Sequence, residues 1–288
     1  MSRISDPRYG VLLTIPGLIL LFLLILFPLF YLFYVSFLRY DNIHPIIFYG
    51  FKNYEYVVGD RLFLPTLIRT IIFCLGSTAL TIAMGLVLAL CLNRITKLST
   101  LFRSAMILCW AVPVVLSGFI WRWMFNPAYG VIPDILMKLH LTSEPLNIFY
   151  DPFTSMIGVI FSYSWINIPF ITILILARLQ SIPTNLYDAA KIDGADTLHI
   201  FKYISLPLAK DSILVGTFII AMFSFRTIDS IISMTPQGGI GKSTYVLGYY
   251  LLDYLTRVFN FGVSAAVGVI ILTVSVSIGI MLIRYMVK

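Results

Sequence analysis

Apolar positions dominate six long stretches of the chain, and short polar segments separate them. Val11–Leu38, Thr70–Leu92, Ser104–Trp121, Ser155–Ala177, Ser212–Met234 and Phe259–Ile283 each reach the roughly 17 residues or more that a helix needs to cross a bilayer. All faces are apolar within them, so length rather than periodicity assigns them as helices. The first carries no charge, and at 1.5 Å per residue it extends about 42 Å, so it must tilt in, or protrude from, a core about 30 Å thick. Its apolar run is about twice that of a secretory leader and no small-x-small cleavage pattern follows, so it is expected to remain as a span. The third stretch is the shortest. The fifth is uncharged as far as Phe225 and carries Arg226 and Asp229 before Met234. Pro16, Pro28, Pro113 and Pro169 lie inside spans, where each removes a backbone donor and can kink its helix. The pattern predicts an all-α integral membrane protein of six transmembrane helices, with residues 1–288 forming a single membrane domain.

Of the residues, 59% are hydrophobic and only 11% are charged, against roughly 25% charged in a soluble domain. The net charge of +7 would point to nucleic acid in a soluble protein, but here it follows from topology. Six spans place both termini on one side. If that side is cytoplasmic, the inner segments hold 11 of the 20 Lys and Arg against 5 of the 13 Asp and Glu, leaving 9 cations and 8 acids outside. The bias is densest between Asn93 and Arg103, a short loop of the kind that the positive-inside rule counts. The N-in, C-in orientation follows, and Trp121 and Trp123 are then expected at the outer interface.

No Asp, Glu, Lys, Arg or His lies deep in spans one to four or six. Carriers driven by proton or sodium gradients usually bury such groups, so the energy is expected to enter from elsewhere. Arg226 and Asp229, at i, i+3, read as a helix pair reaching toward the interface or as a lip of the pathway. Cys74, Cys91 and Cys109 form no C-x-x-C pair, and His44, His140 and His199 are scattered, so neither redox chemistry nor a metal site is expected. No catalytic constellation appears, and the chain is not read as an enzyme.

One polar island interrupts the apolar pattern, from Pro183 to Pro207 between spans four and five. Pro183, Thr184 and Asn185 have the character of a helix start with capping side chains. Leu186–Ile192 supplies about two turns, with Asp188 near the positive end. Ala189 and Ala190 let another surface come close. Gly194 can take the positive φ that ends a helix without a Cβ penalty. A second helix is expected from Thr197 to about Ser205, with Ile200, Phe201 and Ile204 on one face, and Pro207 is expected to break it. From these residues alone, a helix lying on the lipid surface and a helix gripping a soluble partner fit equally.

At these positions the chain resembles the permease subunits of binding-protein-dependent ABC importers. Their cytoplasmic loop reads Glu-Ala-Ala, three residues, Gly, nine residues, Ile-x-Leu-Pro. Ala189, Ala190, Gly194, Ile204, Leu206 and Pro207 stand at those spacings, with Asp188 in place of Glu. The resemblance covers nearly the whole chain and points to the carbohydrate branch, similar to maltose and glycerol-phosphate permeases. Gly50-Phe-Lys-Asn53-Tyr54 resembles the family's Gly-x-x-Asn-Tyr. Val112-Pro-Val-Val through Gly130 resembles the segment of the first permease of such pairs. Thr235-Pro-Gln-Gly238-Gly239 resembles its outer Thr-x-Gly-Gly-Pro loop, with Ile240 in the Pro position. The resemblance implies ATP-driven alternating access in a prokaryotic cytoplasmic membrane. It implies a second permease, two cytoplasmic ATPases that bind the ATP and Mg, an extracytoplasmic solute-binding protein, and a coupling helix around Asp188–Gly194. The other reading of the spans is a stand-alone secondary carrier or channel.

Pro236–Ser243 looks like a phosphate loop, yet Pro236 stands where the motif needs Gly and an apolar span precedes it instead of a strand. ATP is therefore expected on another chain. Ser162, Tyr163, Trp165 and Asn167 near the middle of span four suit a sugar pathway, since a ring face wants an aromatic and hydroxyls want amides. Helix-packing contacts explain the same residues equally well.

Overall fold

The computed structural model describes residues 7–94 and 99–286, with side chains from 13 to 94 and from 101 to 286. Arg3, Asp6, Lys97, Lys288 and the side chain of Arg8, which enter the charge balance, lie outside the described residues. The chain runs as α1 (Pro7–Leu21), a π turn (Phe22–Leu26), α2 (Phe27–Ser36), a hairpin of β1 (Leu38–Arg39) and β2 (Ile47–Phe48), α3 (Lys52–Gly59) and α4 (Phe63–Arg94). There follow α5 (Ser99–Trp110), α6 (Val114–Met124), α7 (Val131–Lys138), α8 (Pro152–Gln180) and α9 (Thr184–Ile192). The chain ends with α10 (Thr197–Ile200), a second π turn (Phe201–Ser205), α11 (Leu206–Arg226), α12 (Asp229–Met234), α13 (Leu247–Thr256) and α14 (Phe261–Met286). Leu13–Ser36, Phe63–Arg94, Pro152–Gln180, Thr197–Arg226 and Phe261–Met286 are long and apolar enough to cross a membrane.

Two expected spans depart from the pattern. The third is a broken pair, with Leu101–Trp110 and Val114–Met124 meeting at 95°. Pro113 lacks an N–H and biases Val112 toward extended backbone, so the chain turns at Ala111–Pro113 and restarts with Pro113 at the N-cap. The fifth ends at Arg226, where Thr227 turns extended (φ −70°, ψ 142°), and Asp229–Met234 is a separate short helix. Arg226 and Asp229 therefore do not share a helical turn, and the expected i, i+3 pair does not form.

Two compact units are distinguished by their packing: Met1–Phe63 with Tyr250–Leu272, and Leu64–Tyr249 with Thr273–Lys288. The first unit is organised by the Gly-x-x-Asn-Tyr segment. Gly50 takes φ +61° and turns the chain out of β2. The Asn53 amide then donates to the carbonyls of Ser36 and Leu38, both at 2.8 Å, and the Tyr54 hydroxyl lies 2.7 Å from Ser36 Oγ. The bond to Ser36 meets the carbonyl of the last residue of α2, which the helix itself leaves without a donor, and the bond to Leu38 ties the start of β1 to the same amide. At its other side Asp60 accepts from Tyr250 at 2.6 Å and Tyr254 at 3.2 Å.

The second unit is built around Ile171 of α8, fully buried in a cluster with Ala89, Leu92, Ile175 and Ile220. Glycine admits α4 and α11 on either side of it. A Cβ on Gly85 would lie 2.5 Å from Ile171 Cγ2, and one on Gly216 2.9 Å from Ile171 Cδ1. Lipid tails are as apolar as these side chains, so such close approach works through dispersion contacts rather than water release. Gly118 of α6 likewise abuts Ser233 and Ser230 of α12. Trp121 is buried among neighbouring helices, edge-on to Phe161 and Trp165. Trp123 is 56% exposed.

Candidate coupling loop and translocation pathway

Pro183–Pro207 folds as the short helix α9 and the start of a second helical path, joined by a turn at Gly194. Pro183 occupies the N-cap of α9 and its carbonyl accepts from Leu186 N–H. No side chain caps this end, contrary to the expected role of Thr184 and Asn185, which lie inside the first turn. Gly194 takes φ +80°, and the orphan carbonyls of α9 are then met by Gly194 N–H to Lys191 (3.1 Å) and Ala195 N–H to Ala190 (2.9 Å), a glycine-dependent stop. Asp196 caps the next helix by accepting from His199 N–H at 2.8 Å. That backbone bond, reinforced by the His199 ring, lowers the Asp196 carboxyl below its ordinary value.

The expected break at Pro207 does not occur. Thr197–Arg226 is one continuous helical path. Pro207 would clash with the carbonyl of Tyr203 in a regular helix, but Phe201–Ser205 opens into a π turn in which Leu206 N–H bonds the Phe201 carbonyl. The wider turn moves the offending carbonyl away. The same device precedes Pro28, where Phe27 N–H bonds the Phe22 carbonyl.

The loop residues divide into an outward and an inward set. Asp188, Ala189 and Gly194 are exposed, and Ala190 is half-buried. Among the described residues Asp188 pairs only with Lys191, at 3.4 Å, with both side chains largely in solvent, a contact worth little. Ile192 is 86% exposed and Leu198 68%, which is unusual for large apolar side chains in a polar loop. Inward, Ile204 and Tyr187 pack against the Ile171 cluster, and the Tyr187 hydroxyl lies 3.4 Å from Ser205 Oγ. Leu206 is half-buried and Pro207 exposed. Arg178, at the end of α8, donates Nε to the Leu208 carbonyl at 2.9 Å. Neither Tyr187 nor Arg178 was legible as a loop brace, because each belongs to a bridge made across sequence rather than to a local motif.

The pathway candidates on α8 are scattered by burial. Ser162 and Tyr163 are buried among helices, and Tyr163 meets Phe73 edge-on. Asn167 donates its amide to the Tyr163 carbonyl at 2.8 Å. Trp165 faces an apolar groove of about 360 Å³ shared with Met84, Met106 and Phe161. Arg226 lies over the Phe223 ring at 4.9 Å, and Asp229 is exposed. The outer Thr235–Thr244 loop is held by its own bonds. Thr235 and Thr244 hydroxyls meet at 2.7 Å, and the Gln237 N–H donates to the Tyr249 hydroxyl at 2.7 Å. A helix, α12, precedes this loop. Among the described residues no group of three or more His, Cys, Asp or Glu could hold a metal ion.

Residues 81–288 match the model of the family described as binding-protein-dependent transport system inner membrane component. The sulfoquinovosyl glycerol transport system permease protein SmoG of Agrobacterium fabrum is 32% identical over 96% of this chain and 89% of its own. The trehalose/maltose transport system permease protein MalF of Thermococcus litoralis is 33% identical over 77% and 74%. The sn-glycerol-3-phosphate transport system permease protein UgpA of Agrobacterium fabrum is 29% identical over 84% and 81%. A crystal structure of a bacterial ABC transporter involved in import of the acidic polysaccharide alginate shares the fold. It has a TM-score of 0.80 and 21% identity, over 96% of this chain and 95% of that one. The chain belongs to the family of binding-protein-dependent transport system inner membrane components.

Proposed function

We propose that this chain is one of two permeases in an ATP-driven sugar importer and that it forms half of an alternating-access pathway. The observation that carries the coupling role is α9. It is exposed, ended by Gly194, braced by Tyr187, and joined to a helix that continues from Thr197 to Arg226. In this reading Asp188, Ala189, Ala190 and Gly194 meet a cytoplasmic ATPase, while Ile204, Leu206 and Pro207 carry the motion into the span. The chain holds no cofactor, and ATP with Mg binds the partner ATPase. A solute-binding protein delivers substrate on the outer face, where the Thr235–Thr244 loop lies in the N-in, C-in orientation. The carbohydrate class rests on the named substrates of the relatives. Ser162, Tyr163, Trp165, Asn167, Arg226 and Asp229 are the pathway candidates.

The test is the native mass of the complex that co-purifies with this chain from its own host in mild detergent. A second permease and two ATPases are expected, with ATP-dependent sugar uptake after reconstitution. A chain that runs alone or only with itself, and lets sugar equilibrate without ATP, would overturn the proposal.

A further inference from the structure

The cavity between the C-terminal end of α4 and the α9–α10 loop measures about 670 Å³, room enough for a small amphiphile. Its walls are chemically divided. Leu90, Ile200 and Phe201 supply an apolar side, and Arg94, Lys191 and Thr197 supply a polar one. Arg94 is the last residue of the 32-residue helix α4, and Leu90 lies one turn further into the span. The cavity therefore lies at the end of a helix long and apolar enough to cross a membrane. Its charge is unbalanced. Arg94 has no acidic partner among the described residues, and Lys191 has only the solvent-exposed Asp188.

We propose that this cavity binds the headgroup of an anionic phospholipid from the cytoplasmic leaflet, and that its occupancy stiffens α9 against α4. The proposal rests on the N-in, C-in reading above, which puts Arg94 on the side where anionic lipids concentrate. Basic pockets between membrane helices at that surface hold such headgroups. A phosphate between Arg94 and Lys191 would join the end of α4 to α9 by charge-assisted bonds. The lipid thereby acts on the loop that Gly194 ends without touching Gly194, and it meets Tyr187, which lines the cavity.

The assembled transporter, with its ATPases, is purified and the phosphatidylglycerol it retains is measured by native mass spectrometry. Compared with wild type, Arg94→Gln should retain about fivefold less, the effect of one cation near the surface. Arg94→Lys should retain wild-type levels, as should Arg284→Gln, which removes a cation from the end of α14. In vesicles of phosphatidylcholine, adding phosphatidylglycerol should raise ATP hydrolysis by wild type and not by Arg94→Gln. Equal retention by Arg94→Gln and wild type would overturn the proposal. So would stimulation reproduced by soluble glycerol phosphate, or retention by the permease pair that disappears once the ATPases are present. In a chain with Cys74, Cys91 and Cys109 replaced by Ser, Arg94→Cys with a membrane-impermeant maleimide separates the two levels. Labelling only from the cytoplasmic face with unchanged lipid retention sinks the lipid site alone, whereas labelling from outside sinks the orientation and the proposal with it.

Discussion

Replacing Gly194 isolates backbone conformation from side-chain contact. Its φ is +80°, yet a Cβ built there meets nothing within 4 Å. Any penalty within this chain is therefore conformational. An L-residue in the left-handed region costs about 1–2 kcal/mol, which is roughly 5- to 30-fold in the population of the turn. A β-branched residue costs more, and Asn costs less because it visits this region readily. Leaving the conformation loses both bonds that end α9, from Gly194 and Ala195 N–H to Lys191 and Ala190, and α10 is no longer aimed by α9. ATP-dependent sugar uptake by proteoliposomes holding the complete complex should fall in the order Gly, Asn, Ala, Val. Membrane insertion and subunit assembly should stay intact, since Gly194 supports no buried contact. Wild-type uptake by Gly194→Val would refute the conformational argument. Uptake by Gly194→Asn as poor as by Gly194→Val would transfer the effect to side-chain bulk against the ATPase.

Other expectations follow from the packing and the caps. Gly85→Val should destabilise the purified complex by about 1–3 kcal/mol through overpacking, and Ile171→Ala in the same chain, which removes the Cγ2 methyl that the new side chain meets, should recover part of the loss in a thermal unfolding assay. Asn53→Ala leaves the Ser36 and Leu38 carbonyls without their donor, at about 1–3 kcal/mol where they are buried. Limited proteolysis should then cut sooner between residues 37 and 52, and Asn53→Asp, which has no amide, should not rescue it. Because the Asp196 carboxyl lies below its ordinary value of 3.8, its cap is intact above that value and is lost only as pH falls through the lowered one. Hydrolysis measured from pH 8 to 5 should therefore fall in Asp196→Ala, which loses the cap, without acquiring a new titration step. Asn167→Ala should alter uptake kinetics across a sugar panel, and unchanged kinetics would remove Asn167 from the pathway.

The island was legible because it is polar within an apolar chain, and because Gly194 is where a helix of this length must stop. The spans were legible by length. What the sequence could not reveal is the fate of its prolines. Pro113 ends a helix and turns the chain by 95°, Pro169 sits inside an unbroken α8, and Pro28 and Pro207 each follow a π turn. The residue imposes the same local demands each time: a missing N–H and a ring against the carbonyl four residues back. The outcome depends on neighbouring helices that hold the backbone together, and that information is nonlocal. Asn53 is a similar case. Its motif was visible, but its two carbonyl partners lie 15 and 17 residues away.

The π turn before Pro207 changes what the loop can transmit. Had the helix broken there, displacement of α9 would be absorbed by a hinge and little would reach the membrane. Instead Thr197–Arg226 spans 30 residues, about 45 Å at 1.5 Å per residue. Two cross-braces flank the wide turn, Tyr187 to Ser205 on the loop side and Arg178 to the Leu208 carbonyl on the span side. Further along the same path, Gly216 seats against Ile171, where a larger side chain would not fit. Under the proposed coupling role, a push on α9 would be delivered to one continuous helix that is seated against α8 at Gly216. In that role, this continuity lets a short exposed helix bias a pathway on the far side of the bilayer, because the difference between docked and undocked α9 is carried rather than dissipated.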